Sequence, residues 1–152
     1  MFEAEYVVEI PTAILASSDY NEKVRSDPTL SARVTIRQYV SETYSGGLPY
    51  VAVHYYQGRW ERLDPAVTAT QLRINAVCWG EFLDTGATCN NNTWSPSYIN
   101  PGSGTWRSYT PSWAGRYVSI NDAYHQSGST KVWLKRGTTT WTFTVTVTAP
   151  LF

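Results

Sequence analysis

Aromatic rings and amide side chains stand close together in the turn-rich parts of this sequence. Trp94 and Tyr98 follow Asn91, and Tyr124 and His125 lie in another polar segment. A sugar has apolar C–H faces and a rim of hydroxyls, so its site needs an exposed ring and nearby groups that exchange hydrogen bonds. The pattern favours carbohydrate binding. The candidate carbohydrate-binding residues are Asp84, Asn91, Trp94, Tyr98, Trp113, Asp122, Tyr124 and His125.

The competing interpretation is that each of these rings is a buried core residue or the anchor of a loop. If a sugar site exists, we expect Trp94, with Asn91 and Asp84 nearby, to form one wall of a shallow site. Trp113 or residues 121–126 would form the other wall. These residues fall in separate loops, which a rigid sandwich can gather at one end.

The sequence offers little support for catalysis. Glycoside hydrolysis requires a pair of carboxylates across a cleft; Glu81, Asp84 and Asp122 are the loop candidates, and the sequence shows no pairing among them. Ser119 and Ser127 lack the motif of a nucleophilic serine. The sequence has neither His-Glu-x-x-His nor the spacing of a calcium loop. We therefore expect a protein that is not an enzyme, with no metal and no cofactor.

A second candidate surface is basic and aromatic. Arg33 and Arg37 fall on one face of a predicted strand, and Arg73 could join them from another strand. With Tyr39 and Tyr50, these arginines could hold single-stranded nucleic acid, whose bases stack on rings while its phosphates meet cations. A few arginines on a solvated sheet face are ordinary, however, and also discourage edge pairing. Nucleic acid is therefore a disfavoured partner.

The two cysteines, Cys78 and Cys89, are eleven positions apart. They could form a disulfide that pins a loop to the preceding strand, or they could be two separate thiols. They are too few for a structural zinc site without His54 or His125. The triplet Asn91-Asn92-Thr93 is a glycosylation acceptor only in a secreted eukaryotic protein.

The elements that must position these residues are β-strands, and residues 140–148 give the clearest case. One side of this segment holds Trp141, Phe143, Val145 and Val147, and the other holds Thr140, Thr142, Thr144, Thr146 and Thr148. Strict alternation predicts a continuous antiparallel strand whose apolar side faces the core. The short hydroxyl side chains fit a partly solvated face or one that another body covers.

Similar patterns predict the remaining elements. Strands are expected over residues 2–10, 30–40, 48–56, 70–79, 104–110, 115–120, 131–136 and 140–149. Turns are predicted at residues 45–47 and 57–59. A long loop rich in Gly, Pro, Asn and Ser is predicted over residues 84–104, and a polar loop over residues 121–130.

These elements predict an all-β fold with about eight or nine strands and at most one short helix, near residues 12–26. The expected architecture is an antiparallel β-sandwich, jelly-roll-like, formed as a single domain by residues 1–152. A closed β-barrel is the alternative.

Composition restricts the function without defining it. Twelve basic and twelve acidic residues give zero net charge, which disfavours a generally basic nucleic-acid binder. No apolar run approaches the roughly 20 residues of a membrane span. No secretory signal is visible at residues 2–6, so we expect either a chain that is cytoplasmic at birth or a mature fragment with an added Met. Composition favours an extracellular or virion-associated location.

Two functions remain. The first is a carbohydrate-binding protein, a lectin or a carbohydrate-binding module, whose partner is a glycan. The second is a structural subunit of a viral capsid, a phage tail or an extracellular appendage, which self-assembles with copies of itself.

Overall fold

The computed structural model describes residues 7–11, 20–120 and 124–149. These residues form strands and no helix, and so include no helix long and apolar enough to cross a membrane. In chain order the strands are β1 (Val7–Pro11), β2 (Tyr20–Ser26), β3 (Ala32–Ser45), β4 (Leu48–Arg62), β5 (Thr68–Glu81), β6 (Thr88–Trp94), β7 (Tyr98–Ile99), β8 (Arg107–Tyr109), β9 (Tyr117–Ser119), β10 (His125–Arg136) and β11 (Thr139–Ala149).

The strands form two sheets. The first sheet has the order β1-β11-β10-β5-β6, with β7 also paired to β5. The second has the order β2-β3-β4-β8, with β9 also paired to β4. All these pairs are antiparallel except β1 with β11, and apolar side chains of both sheets form one buried core. The predicted all-β sandwich is confirmed; the alternative of a closed barrel is wrong, because the two sheets do not join into one.

The helix predicted near residues 12–26 is wrong for its described part. Residues 20–26 form β2, which pairs antiparallel with β3, and residues 12–19 lie outside the described residues. Asn21 is fully buried and donates a hydrogen bond to Gln38 at 3.1 Å, which ties the two strands together. Pairing in the sheet therefore overrides the weak helical propensity of this segment.

The turn predicted at residues 57–59 is also wrong, because these residues lie inside β4. Gly58 pairs with Ile36 on one side and Arg107 on the other. A Cβ atom at Gly58 would stand 2.2 Å from the Thr130 hydroxyl oxygen, which belongs to the first sheet. Glycine is needed here for close approach of the two sheets rather than for a turn.

Two predicted loops contain strands. Residues 88–94 and 98–99, within the predicted loop 84–104, form β6 and β7. The predicted polar loop 121–130 includes the start of β10 at His125, while residues 121–123 lie outside the described ranges. Strand β6 ends the order of the first sheet, so its Asn-rich sequence can face solvent and still form a ladder with β5. Composition alone does not distinguish such an edge strand from a loop.

Strand β11 confirms the predicted orientation of its apolar side. Trp141, Phe143, Val145 and Val147 are all buried and belong to the core. The opposite side is buried as well, with exposed fractions of 4 % for Thr142, 6 % for Thr144 and Thr146, and 8 % for Thr148. Of the two alternatives predicted for this side, a covered face agrees with the burial and a partly solvated face does not.

Cys78 and Cys89 are paired as a disulfide between the neighbouring strands β5 and β6. Their Cα atoms are 5.9 Å apart, within the range that a bridge requires. We expect no reactive thiol when the purified protein is titrated in denaturant without reductant, and two after reduction. The bridge should contribute roughly 3 kcal/mol by restricting the unfolded chain. Two reactive thiols before reduction would contradict this pairing.

Candidate functional site

Three tryptophans lie on the outer face of the first sheet, the side turned away from the core. Trp79 follows the buried Cys78 in β5, so its side chain points outward. Trp133 lies between the buried Val132 and Leu134 in β10 and points outward for the same reason. Trp94 shares this face because it pairs with Asn75, and its exposed fraction is 40 %.

The register of β5 sets the spacing of the three rings. Trp94 is opposite Asn75, whereas Trp133 is opposite Gln71. Trp79 and Gln71 each stand four residues from Asn75 along β5, which corresponds to about 13 Å in each direction. The rings therefore spread along the sheet instead of lining one compact pocket.

Side-chain amides lie near two of these rings, since Asn75 is opposite Trp94 and Gln71 is opposite Trp133. The Asn75 side-chain nitrogen donates to the Asn92 side-chain oxygen at 2.6 Å and to the Thr93 carbonyl at 2.9 Å. The Gln71 nitrogen donates to the Ser97 hydroxyl at 2.8 Å. We call this surface the tryptophan face; it comprises Gln71, Arg73, Asn75, Trp79, Asn92, Trp94 and Trp133.

The Trp94 ring packs against the guanidinium of Arg73. The Arg73 guanidinium carbon lies 5.2 Å from the centre of the Trp94 ring, a cation–π contact. Arg73 Nε also donates to the Ser95 carbonyl at 3.1 Å. Ser95 is fully buried; its hydroxyl accepts from the Ile74 N–H at 2.9 Å and donates to the Pro96 carbonyl at 2.8 Å. This network fixes the end of β6 and orients the ring.

The other two rings have their own neighbours. Lys131 Nζ lies 5.0 Å from the centre of the Trp133 ring. Tyr124 meets Trp79 edge to face, with ring centres 5.8 Å apart. His125 is opposite Trp79 in the ladder between β10 and β5. Tyr124 and His125 therefore adjoin the Trp79 end of the tryptophan face, about 13 Å along β5 from the position of Trp94.

Tyr98 and Trp113, two further candidate sugar residues, lie elsewhere. Tyr98 pairs with the buried Leu72 and packs against the core, and its hydroxyl donates to the Ser108 carbonyl at 3.0 Å. Trp113 is 2 % exposed, and its indole N–H donates to Gln126 at 3.0 Å. The proposal of Trp113 as an exposed wall is wrong, because its ring is part of the core.

The predicted grouping of Asp84 and Asn91 with Trp94 is also wrong. Asp84 precedes β6 and Trp94 ends it, and the six residue steps from Thr88 to Trp94 alone span about 20 Å. Asn91 pairs with the inward-facing Cys78, so it belongs to the opposite face of β6. Asp122 lies outside the described residues.

Asp84 is committed to an ion pair instead. Arg116 donates to its two carboxylate oxygens at 2.9 and 3.2 Å. These hydrogen bonds hold the pKa of Asp84 below its ordinary value, so the carboxylate is ionised at neutral pH. That state does not suit a general acid.

The basic surface predicted from Arg33, Arg37 and Arg73 is divided between the two sheets. Arg33 and Arg37 lie on β3 in the second sheet, whereas Arg73 lies on β5 in the first. The three arginines therefore do not form one surface. The suggested joint nucleic-acid site is wrong in that form.

On the outer face of the second sheet, the aromatic rings contact arginine side chains or each other. The guanidinium carbons of Arg37 and Arg59 each lie 4.3 Å from the centre of the Trp106 ring. Tyr39 stacks on Tyr55 with ring centres 4.3 Å apart. These contacts occupy surfaces on which bases would stack, so this arrangement stabilises the sheet more readily than it binds nucleic acid.

Acidic side chains also offset part of the positive charge there. Glu22 accepts from Arg37 Nε at 2.5 Å, and Glu61 lies 3.6 Å from Arg59 and 4.0 Å from Arg33. Across the described ranges, no group of three or more His, Cys, Asp or Glu side chains is placed to hold a metal ion.

The sequence analysis identified Trp94 but did not place Trp79, Trp133, Arg73 or Asn75 with it on one face of the sheet. The alternation in β5 and β10 already placed these residues away from the core. Their place on one common face depends on the pairing of β6 with β5 and of β5 with β10, which joins residues distant in sequence. Comparison with known proteins identifies no matching family, no matching curated protein and no matching solved structure.

Proposed function

We propose that the protein binds glycans on the tryptophan face. The observation that carries this proposal is the placement of three partly exposed tryptophans on one face of one sheet, among side-chain amides. Apolar sugar faces pack on such rings, and amides exchange hydrogen bonds with the surrounding hydroxyls.

The shape of the surface favours an extended glycan over a single sugar. The rings are spaced by about 13 Å along the strand direction, so one small sugar cannot cover two of them. The Asn75 and Asn92 side chains are hydrogen-bonded to each other at 2.6 Å. They are therefore already ordered and lose little conformational freedom when a ligand binds. A chain of several sugars could contact Trp94 and reach toward a second ring.

The substitution Trp94→Ala should weaken glycan binding while leaving the melting temperature nearly unchanged. The ring is 40 % exposed and ends an edge strand, so its loss removes a platform and little core packing. We expect an affinity loss of about tenfold, which corresponds to about 1.4 kcal/mol. A glycan array with the parent protein identifies the ligand, and calorimetric titration then measures both proteins.

The matched control is Trp106→Ala, which removes a tryptophan from the outer face of the second sheet. This variant should bind glycan as the parent does. Failure of the parent protein to bind any glycan, or equal binding losses in the two variants, would refute the proposal.

Self-assembly as a structural subunit is the second candidate function. It is favoured by large apolar side chains that remain at least 60 % exposed, namely Leu30, Tyr44, Leu48 and Ile99. Isolated exposed apolar residues are common, but in an assembly they could be buried between copies. Light scattering and electron microscopy separate the two candidates, since large particles or filaments indicate assembly and a small glycan-binding species indicates a lectin or module.

A further inference from the structure

We propose that the Trp94–Arg73 pair selects an anionic sugar residue, one that carries a carboxylate or a sulfate. This inference rests on the proposed glycan-binding function and specifies its ligand class. The juxtaposition that supports it is a partly exposed ring with a guanidinium 5.2 Å from its centre.

Arg73 retains donors for a ligand. Its Nε donates to the Ser95 carbonyl at 3.1 Å, which fixes the orientation of the guanidinium. Within the described ranges, no carboxylate lies within ion-pair distance of Arg73, and its two terminal nitrogens have no hydrogen-bond partner. The opposite sheet differs, because Arg37 and Arg59 have Glu22 and Glu61 as neighbours.

The Arg73 charge lies next to the Trp94 ring, on which a sugar would stack. A sugar that packs on the exposed part of the Trp94 ring lies beside the guanidinium, since the two groups are already in contact. The planar guanidinium presents parallel N–H donors that match a carboxylate or sulfate group in two-point hydrogen bonding. A neutral sugar could use the ring and the amides but not this charge. The acidic form should therefore bind more tightly.

The experiment compares ligands that differ only in charge. Oligogalacturonate and its fully methyl-esterified form test the carboxylate, and a sulfated galactan oligosaccharide and its desulfated form test the sulfate. We expect at least one anionic form to bind the parent protein about tenfold more tightly than its neutral match, with a preference that declines as salt is raised.

Arg73→Gln should abolish this preference while leaving the affinity for the neutral form unchanged. Arg59→Gln is the matched control, because Arg59 lies over Trp106 on the opposite outer face. Arg73→Lys keeps the charge without the planar donors and should show a reduced preference. Thermal melting confirms that each variant is folded. If Arg73→Gln is unfolded, the intermediate preference of Arg73→Lys supplies the test.

The outcomes separate this inference from the proposed function. Equal binding of charged and neutral forms overturns the anionic selectivity and leaves glycan binding intact. Loss of the preference in Arg59→Gln, but not in Arg73→Gln, also overturns the inference, since the anion then binds elsewhere. If no glycan of either kind binds the parent protein, both the inference and the proposed function fail.

Discussion

Replacing Val145 by Asp should leave the protein without a folded state at neutral pH. Val145 is fully buried in β11, where it pairs with Val8 of β1 and Thr130 of β10. The new carboxylate would enter the apolar core that both sheets share. A buried charge without a partner costs several kcal/mol, which is comparable to the roughly 5–15 kcal/mol that stabilises a whole domain.

Circular dichroism and urea titration measure this effect. We expect the Val145→Asp protein to lack near-UV signal from ordered aromatic rings and to show no cooperative unfolding. Thr140→Asp is the control on the same strand, because Thr140 is partly exposed and lies opposite Lys135. The free energy of unfolding of that variant should differ from that of the parent protein by no more than about 0.5 kcal/mol. A cooperative transition of similar stability in Val145→Asp would show that position 145 is not part of the core.

The orientation of β11 could be predicted because a period of two fixes which residues share a face. Alternation alone predicts that Trp141 and Phe143 face the core, and the structure places both there. The burial of Thr144 and Thr146 was not predictable in this way. Alternation separates the two faces of a strand, but it contains no information about what covers each face.

Glycine shows a second limit of sequence reasoning. Gly58 and Gly128 have the residue type of a turn, yet both lie inside strands. A Cβ atom at Gly128 would stand 2.1 Å from the ring of Tyr56, just as one at Gly58 would meet Thr130. These requirements arise from contacts between the two sheets, and the neighbours of Gly58 in sequence do not reveal them.

The sequence indicated the ligand class of the candidate site but not all of the residues that form it. The abundance of rings and amides indicated sugar binding, and Trp94 stays at the centre of the proposed site. Its expected companion Asp84 lies beyond the far end of β6, while Arg73 and Asn75 come from the neighbouring strand. Asp84 and Trp94 are close in sequence but not in space, because an extended strand separates its ends by about 3.3 Å per residue.

A buried carboxylate joins the two sheets at the end of β2. Asp27 is 1 % exposed and accepts hydrogen bonds from the Ser31 N–H at 2.7 Å, the Ala32 N–H at 3.1 Å and the Thr29 hydroxyl at 2.5 Å. The Trp141 indole N–H, which belongs to the first sheet, donates to it at 3.1 Å. One side chain thus closes the turn between β2 and β3 and ties that turn to β11.

We expect Asp27→Ala to lower the free energy of unfolding by at least roughly 3 kcal/mol, because each of three buried donors left without an acceptor costs about 1–3 kcal/mol. The donors of Ser31, Ala32 and Trp141 would all lose their partner. Trp141→Phe is the matched variant, since it removes the bond between the sheets and keeps the turn. Its loss should be smaller than that of Asp27→Ala. Urea titrations of both variants measure the difference, and a loss in Trp141→Phe as large as that in Asp27→Ala would contradict the larger effect expected for Asp27.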